Sequence, residues 1–479
     1  MKVRFAVLVI LLFLPAASFC GTGGVGDVSV KKWADDRKSA FTFTYDDGYI
    51  TQYQYVKPIL DSFGFKGTFF VITGSMTDDL PGIWRYGTWK QFREMSLEGH
   101  EIGSHTVTHP YLTQITNGDY RTPGTLIYEL LQSRSLIETK IPNQKCITMA
   151  YPYFIYNSLV KNETAFYYEG GRGGSFVPMD ASLADTAYYS IGAKEEQFSS
   201  PRHSIQDDLD ELQNFERYED SSITFGKWGM LVGHEVYPFA QITDSLISVS
   251  WFPQATEWLT SLCGWLKEKS DSNEIWVETM GNVIRYMKER DHFNYNIISA
   301  TSAQIQINTT DSLSNDIYNY PLTVDITVPA DWEGAYVVQG SGTDTAITFV
   351  AGNISYIRTR IIPDGGNIIL NKKVTPTGVD KIIAGPQVYT LEQNYPNPFN
   401  PSTRIKYSIA SESNVRVTVF NALGESVKEL TNEVKAAGNY EVSFNSEGLS
   451  SGVYFYSIAA ISRDGKQSFR ETKKMILMK

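Results

Sequence analysis

The pattern of apolar residues changes near Asn296, and this change constrains the fold more than any other feature. Before it, short runs rich in β-branched and aromatic residues alternate with stretches that have helical spacing of apolar residues. Ser39–Tyr45 and Gly67–Ile72 are two such strands, and Leu126–Thr139 is such a helix. Strands that alternate with helices predict a parallel sheet or an α/β barrel. We assign this α/β domain to residues 21–295.

The rest of the chain has only strand-like patterns. Between 296 and 374, short β-prone segments are separated by Gly, Asn and Asp turns, which predicts a small all-β module. Residues 375–388 contain two prolines and are predicted to be a linker. From 389 to 479, alternating runs such as Val415–Phe420 predict a second β-sandwich.

The first 20 residues have the pattern of a signal peptide. Lys2 and Arg4 precede the apolar run Phe5–Leu14, and small residues follow at Pro15–Ser18. The run is too short for a membrane-spanning helix, which needs about 20 apolar residues. No other stretch is long and apolar enough to cross a bilayer. We therefore expect an exported, soluble protein with no transmembrane segment in the mature chain.

Composition excludes several classes of protein. The formal net charge is −11, and binding to nucleic acid, which requires clustered Lys and Arg, is not expected. The chain has 3 Cys, too few for a disulfide scaffold or a Cys-rich zinc ribbon. Cys146 and Cys263 fit either a disulfide or two buried thiols. Aromatic residues make up 13% of the chain, which suits carbohydrate contact and β-structure equally.

Acidic residues and histidines form one candidate site. Asp46 and Asp47 follow a predicted strand, and three histidines lie further along the chain at His105, His109 and His234. One Asp with two His is a common ligand set for a divalent metal, and a second carboxylate can accept a proton from water. Neighbouring strand residues normally face opposite ways, but a turn at Gly48 would bring both carboxylates to one site. Taken singly, each feature also fits a solvated turn or a core histidine.

Four segments follow the motif order of a known family. They are TYDDG at 44–48, GHEIGSHTVTHP at 99–110, AYPY at 150–153 and LVGH at 231–234. With the strands at 67–71 and 275–280, they resemble the polysaccharide deacetylases, the NodB-homology group of carbohydrate esterase family 4. The resemblance covers about residues 38 to 290.

The resemblance implies a fold and a set of roles. The fold is a distorted (β/α) barrel with its site at the carboxyl ends of the strands. Asp46 is implied as general base, His234 as general acid, and the backbone N–H of Tyr153 as a donor to the oxyanion. Three residues are implied as ligands of a divalent metal, usually Zn²⁺ with Co²⁺ or Ni²⁺ as alternatives: Asp47, His105 and His109.

Two positions depart from the family pattern. The third motif usually begins with an Arg that orients the catalytic Asp, and Ala150 stands there instead. Arg172, within GGRGG at 170–174, is a candidate replacement from another loop, although a flexible glycine-rich surface loop explains that segment equally well. The fourth motif, normally rich in Asp, has no clear match, and Asp180 and Asp185 are weak candidates.

The end of the chain resembles a second family. QNYPNPFNPST at 393–403, LGE at 423–425 and LSSGVY at 449–454 are similar to signatures of the type IX secretion C-terminal sorting domain. This resemblance implies export through the periplasm by the type IX machinery, followed by release or attachment at the cell surface. An ordinary β-sandwich appendage is the alternative.

These features predict a secreted, metal-dependent polysaccharide deacetylase. Its substrate would carry N-acetyl groups, as in chitin-like glycans or peptidoglycan, or O-acetyl groups, as in xylan-like glycans. One alternative is a surface carbohydrate-binding protein built on a degenerate barrel, which the missing Arg at position 150 keeps open. Another is a different C–N hydrolase that uses the same metal site. The module at 296–374 is either a glycan-binding unit or a spacer.

Overall fold

The computed structural model describes most of the chain after residue 23. The described residues are 24–79, 85–174, 177–195, 205–250, 253–340, 342–373, 389–394, 397, 399, 401–422, 424–446, 448–463 and 468–477. The predicted signal peptide and the predicted linker lie outside them. The chain divides after residue 374 into two compact units. No helix in the described ranges is long and apolar enough to cross a bilayer.

The first unit begins with one strand of an antiparallel sheet and continues with a parallel half-barrel, its helices and a short two-stranded pair. The strands are β1 (Val28–Val30), β2 (Ser39–Tyr45), β3 (Gly67–Val71), β4 (Glu101–Ser104), β5 (Thr148–Ala150), β6 (Gly170–Arg172), β7 (Lys194–Glu195), β8 (Trp228–Gly233), β9 (Val236–Tyr237), β10 (Gln254–Ala255) and β11 (Ile275–Val277). Of these, β1 belongs to the antiparallel sheet, and β9 and β10 form the two-stranded pair. The helices are α1 (Lys57–Ser62), α2 (Trp89–Leu97), α3 (Leu126–Lys140), α4 (Ser158–Thr164), α5 (Ile205–Phe225), α6 (Asp244–Ile247), α7 (Thr256–Asp271) and α8 (Met280–Asp291).

Eight of these strands form one parallel sheet around β2. The order is β6-β5-β4-β3-β2-β8-β7, and β11 pairs with the first half of β2. All seven residues of β2 are buried, as expected for a strand that is covered on both faces. The predicted α/β barrel is confirmed, and the predicted strand and helix at 39–45 and 126–139 have nearly the same bounds as β2 and α3. Cys146 and Cys263 are buried free thiols.

The all-β module forms a second sheet in the same unit. Its strands are β12 (Asn294–Ala300), β13 (Gln304–Thr310), β14 (Leu322–Val328), β15 (Gly334–Gln339), β16 (Gly342–Ala351), β17 (Ile354–Ile361) and β18 (Ile368–Lys372). They form an antiparallel sheet in the order β14-β17-β16-β15-β18-β13-β12, and β1 adds to it beside β14. The boundary predicted between residues 295 and 296 falls inside β12, which begins at Asn294. Only two residues separate the end of α8 from the start of β12.

The barrel and the module share one apolar core. Trp276, Met280 and Ile284 from the barrel belong to the same buried cluster as Val324 and Ile326 of β14. β1 precedes the barrel strands in sequence but pairs with β14 of the module. The module is therefore connected to the barrel before its first strand, through β1, and after its last helix, through β12.

The second unit is a β-sandwich. Its strands are β19 (Thr390–Leu391), β20 (Ser402–Ile409), β21 (Ser413–Phe420), β22 (Ser426–Lys435), β23 (Gly438–Asn445), β24 (Gly452–Ser462) and β25 (Ser468–Leu477). They form a three-stranded sheet, β19-β20-β23, and a four-stranded sheet, β22-β21-β24-β25. Exposed and buried residues alternate along β20 and β21, and the buried faces form one core. The predicted β-sandwich is confirmed.

Glu289 in α8 gives the first unit a pH-dependent stability. Its side chain is fully buried, with Oε1 accepting a hydrogen bond from the Tyr320 N–H at 2.8 Å. Its Oε2 has no hydrogen-bond partner within the described part of the chain. Burial, with a smaller contribution from Asp311, raises the pKa of Glu289 to about 8. The protonated carboxyl therefore stabilises the fold fully below the unfolded pKa near 4.5, and this contribution is lost as the pH rises through 8.

We predict that Glu289→Gln is stabilised relative to wild type at pH 8, by on the order of 2 kcal/mol. The glutamine keeps an acceptor for Tyr320 and does not ionise. Melting temperatures of the two full chains should diverge between pH 5 and pH 8, whereas the exposed control Glu268→Gln should track wild type. A Glu289→Gln difference that is independent of pH would contradict the assignment.

Candidate metal centre

Two carboxylates lie at the carboxyl end of the central strand β2. The Asp46 N–H extends the pairing with β8 by donating to the Gly233 carbonyl at 2.9 Å. Asp47 and Gly48 then adopt left-handed backbone conformations, with φ of 73° and 76°. At Gly48 a side chain would also meet Val71 at 3.0 Å, so both the conformation and the space favour glycine. This turn brings Asp46 and Asp47 to one site, as predicted.

His105 and His109 follow β4 and meet Asp47. The two Nε2 atoms are 3.1 Å apart, and Asp47 Oδ1 lies 3.5 Å from that of His105 and 3.7 Å from that of His109. The loop between the histidines is held by buried Glu129 of α3, whose carboxylate accepts hydrogen bonds from the N–H groups of Val107 and Thr108. The candidate ligand atoms of the three residues lie within 4.8 Å of one another.

The protonation of this group suits a cation. His105 Nδ1 lies 2.8 Å from the Ala150 carbonyl oxygen, which can only accept, so Nδ1 carries the proton and Nε2 presents its lone pair. Burial lowers the pKa of His105 to about 3, which leaves the imidazole neutral at pH 7. Asp47 Oδ1 is buried with no hydrogen-bond partner among the residues described. One unpaired carboxylate oxygen and two imidazole nitrogens fit a divalent transition metal.

Asp46 is held as a buried anion beside this triad. Its Oδ1 contacts Nη2 of Arg172, and its Oδ2 lies 3.8 Å from His105 Nε2 and 4.0 Å from His234 Nε2. Burial raises the pKa of Asp46, but Arg172, through its charge and its hydrogen bond, together with His105 and His234 outweighs burial, and the pKa lies below its ordinary value. Asp46 is therefore ionised at neutral pH and can accept a proton.

Arg172 reaches Asp46 from a buried strand. Parallel pairing of β5 and β6 places Arg172 opposite Ala150, the position where the family pattern has its Arg. Its fully buried guanidinium lies 5.4 Å and 5.0 Å from the rings of Phe70 and Phe154. A side chain at Gly170 or Gly171 would come within 2.5 Å of Ile284 or Tyr151, so the glycines allow close packing. The alternative of a flexible surface loop at 170–174 is therefore wrong for Gly170–Arg172.

His234 follows β8 and is tied to Asp46 through the backbone. The side-chain amide of Gln52 donates hydrogen bonds to the carbonyl oxygens of Asp46 at 2.5 Å and His234 at 3.1 Å. Gln52 begins a π-helical turn, Gln52–Val56, directly before α1. Gln52 was not among the predicted site residues, because one glutamine at the start of a helix gives no signal of a long-range contact.

The candidates for the fourth motif do not reach His234. Asp180 pairs with Lys227 at 3.3 Å and its side chain is 72% exposed. This pair lies beside the first residue of β8, whereas His234 follows the last, about 20 Å away along a six-residue strand. Asp185 is exposed at the start of a 3₁₀ turn, Asp185–Tyr189. Both residues were candidates because the fourth motif is normally rich in Asp, and such a composition carries no information about strand register.

Two stacked tyrosine pairs flank the triad. On one side, the Tyr153 ring lies 4.5 Å from His109 and stacks on Tyr111 at 4.0 Å. Tyr153 has φ of 59°, so the chain turns sharply at the residue implied as the oxyanion donor. On the other side, the Tyr49 hydroxyl donates a hydrogen bond to Asp47, and the Tyr49 ring stacks on Tyr86 at 5.4 Å.

A buried ion pair supports the second tyrosine pair. The Arg85 guanidinium lies 4.6 Å from the Tyr49 ring and binds both carboxylate oxygens of Glu235, at 2.9 and 2.5 Å. Glu235 is 1% exposed. Neither the two tyrosine pairs nor the Arg85–Glu235 pair was predicted from the sequence. The position of Glu235 directly after His234 was the available signal.

Comparison with known families agrees with the predicted fold. Residues 34–167 match the family model described as polysaccharide deacetylase, and residues 393–477 match the secretion system C-terminal sorting domain. The chain therefore matches the polysaccharide deacetylase family and the secretion sorting domain over these two ranges, and both predicted resemblances are confirmed.

Individual relatives cover only parts of the chain. A gellan lyase of Bacillus sp. is 26% identical over 350 residues, which is 72% of this chain and 13% of that protein. YxkH of Bacillus subtilis, which is named after the polysaccharide deacetylases, is 33% identical over 114 residues, which is 24% of this chain and 37% of that protein. The chain thus spans well under half the length of either relative. Among solved structures, the Streptococcus pyogenes deacetylase PplD in complex with acetate is 29% identical, with a TM-score of 0.27 over 32% of this chain and 62% of that chain.

We predict that the full chain binds one Zn²⁺ through the triad. Calorimetric titration at pH 7 should show affinity at least about 100-fold lower for His105→Ala and His109→Ala, because each removes a ligand atom. The exposed control His292→Ala should bind as wild type does. Unchanged affinity in both triad variants would place the metal elsewhere.

Proposed function

We propose that this chain is an exported, metal-dependent polysaccharide deacetylase that hydrolyses N- or O-acetyl groups of a glycan. One observation carries the proposal: an anionic Asp46 and a third histidine, His234, lie within 4.0 Å of each other beside the group of Asp47, His105 and His109. A proton acceptor, a proton donor and a candidate cation site are the three elements that acyl hydrolysis requires.

The triad would hold the cation, with Zn²⁺ the first choice and Co²⁺ or Ni²⁺ the alternatives. When bound, the ion would lower the pKa of a water molecule and polarise the acetyl carbonyl. The neutral state of His105 and the unpaired Asp47 oxygen prepare the chain for this ligand.

The chain's own residues move the protons. Asp46 accepts a proton from the attacking water, and Arg172 keeps Asp46 ionised until that step. As the carbonyl oxygen gains charge, the backbone N–H of Tyr153 donates a hydrogen bond to it. His234 Nε2 then protonates the departing sugar nitrogen or oxygen as its bond to the acetyl carbon breaks. Acetate and a free amine or hydroxyl are the products.

Arg172 also supports the deacetylase over the carbohydrate-binding alternative. Ala150 was the reason to consider a degenerate barrel, and the guanidinium of Arg172 supplies the missing charge from the adjacent strand at the same register. Glycan binding alone has no use for a buried carboxylate that is kept ionised at the cost of burying an arginine. We therefore favour the enzyme.

The sorting domain supports the proposed location. A chain with this domain and with the predicted signal peptide would pass through the periplasm to the type IX machinery, and then be released or attached to the cell surface. An acetylated polysaccharide outside the cell would be within reach of an enzyme in that place.

The direct test is acetate release by the full chain with added Zn²⁺, on acetylated chitooligosaccharide and acetylated xylan. We expect Asp46→Asn to lower the rate by about 10³-fold, since the amide cannot accept the proton. Asp78→Asn, a matched change at an exposed ion pair with Lys140, should leave the rate as it is in wild type. Acetate release by Asp46→Asn at the wild-type rate would overturn the assigned base, and no acetate from either substrate by a metal-loaded wild type would overturn the proposal for these glycans.

Arg172 should act on the rate through Asp46. We expect Arg172→Gln to raise the pKa of Asp46 and to move the acidic limb of the pH profile of kcat/KM upward by about 1 unit. Arg172→Lys, which keeps the charge, should recover part of the shift. Circular dichroism would show that both variants fold, and folded variants with a wild-type acidic limb would contradict the role.

A further inference from the structure

Tyr111 and Tyr153 extend the candidate site outward. The rings of His109 and Tyr153 are 4.5 Å apart at 64°, and those of Tyr153 and Tyr111 are 4.0 Å apart at 13°. The three rings thus form an ordered row that leads from the metal triad towards solvent. The Tyr153 ring packs edge-to-face with His109 and stacks face-to-face on Tyr111.

Tyr111 offers a flat apolar face to solvent. It is 42% exposed although one ring face is covered by Tyr153. Its backbone is fixed, because its carbonyl accepts a hydrogen bond from the Gln114 N–H at 2.9 Å and the next residue, Leu112, is buried. A ring held in this way loses little conformational entropy when a ligand packs on it.

The opposite tyrosine pair is not equivalent. Tyr49 is 6% exposed, its hydroxyl is used by Asp47 and its ring is covered by Arg85 and Tyr86. This pair supports the Asp47 turn. The exposed aromatic surface beside the triad is formed by Tyr111 and Tyr153, which are 42% and 43% exposed.

A pyranose ring is the ligand that this surface fits. Sugars in β-linked polymers present a face of C–H groups that packs flat against an aromatic ring, while their hydroxyl groups point sideways into water. The Tyr153 ring separates Tyr111 from His109, so a sugar on Tyr111 is not the one whose acetyl group reaches the triad. It is a neighbour in the same polymer.

We propose that Tyr111 is a stacking platform for a non-reacting sugar of a β-linked polysaccharide, so that the site prefers oligomers to monosaccharides. This inference rests on the proposed function for its meaning, but the binding itself does not require turnover. Tyr111 is a binding residue in this proposal and has no part in proton transfer.

The kinetic test compares acetylated pentasaccharides with the corresponding acetylated monosaccharides. We expect Tyr111→Ala to lower the preference for the pentasaccharide, the ratio of the two kcat/KM values, by about 10-fold, mainly through KM. Tyr111→Phe should retain the preference, because the ring remains. The control Tyr336→Ala removes a tyrosine of similar exposure, 45%, from β15 of the all-β module and should behave as wild type. An unaltered preference in Tyr111→Ala would overturn the platform.

A binding test separates the two proposals. Calorimetry with unacetylated chitopentaose and xylopentaose needs no reaction, and we expect wild type to bind one of them at least about 10-fold more tightly than Tyr111→Ala does. This result without any acetate release would retain the platform and reject the deacetylase. Acetate release with equal binding by wild type and Tyr111→Ala, or with no pentasaccharide binding by wild type, would do the reverse.

Discussion

The contact between Arg172 and Asp46 is the constraint on which the candidate site depends. Arg172 is on β6, and Asp46 follows β2, four strands away in the order β6-β5-β4-β3-β2. Neighbouring strands are about 4.8 Å apart, so a flat sheet would separate the two backbones by about 19 Å, far beyond a direct ion pair. The sheet must therefore curl for the contact to form. The same curvature brings the carboxyl end of β4, with His105, towards Asp46, whereas β8, with His234, is already the direct neighbour of β2.

Burying this ion pair is costly, and the surrounding structure offsets the cost. An arginine and an aspartate without access to water lose hydration energy that their attraction only partly restores. The aromatic rings of Phe70 and Phe154 lie close to the Arg172 guanidinium, and the nearby Gln52 amide fixes the Asp46 carbonyl. The result is a carboxylate that stays ionised next to a neutral imidazole. In the proposed reaction, proton transfer depends on this difference in charge between Asp46 and His105. Arg172 maintains it from β6 rather than from β5, because the parallel pairing of the two strands places Arg172 opposite Ala150.

The sequence was sufficient for features that depend on local pattern and insufficient for those that depend on distant neighbours. The buried strand β2 was predictable from its apolar run, and the resemblance to the deacetylase motifs implied the group of Asp47, His105 and His109, whose role as metal ligands stays a prediction. GGRGG at 170–174 could not be assigned to a strand, because its burial comes from Ile284 and Tyr151 rather than from its own side chains. The pairing of β1 with β14 likewise has no local signal, since a three-residue strand does not specify its partner. An Asp-rich composition likewise does not identify a partner of His234, because Asp180 lies beside the opposite end of β8.

The all-β module is better understood as part of the barrel than as a spacer. A spacer keeps its own core, whereas Val324 and Ile326 pack in one cluster with Trp276 and Ile284 of the barrel. The polar contacts agree: Asp325 of β14 pairs with Lys31, which follows β1, and with Arg358 of β17, which also reaches Asp36 before β2. These charges join the two sheets on the side where β2 begins. The strand that carries Asp46 is thus held at its start by the module and at its end by Arg172, and its position depends on both.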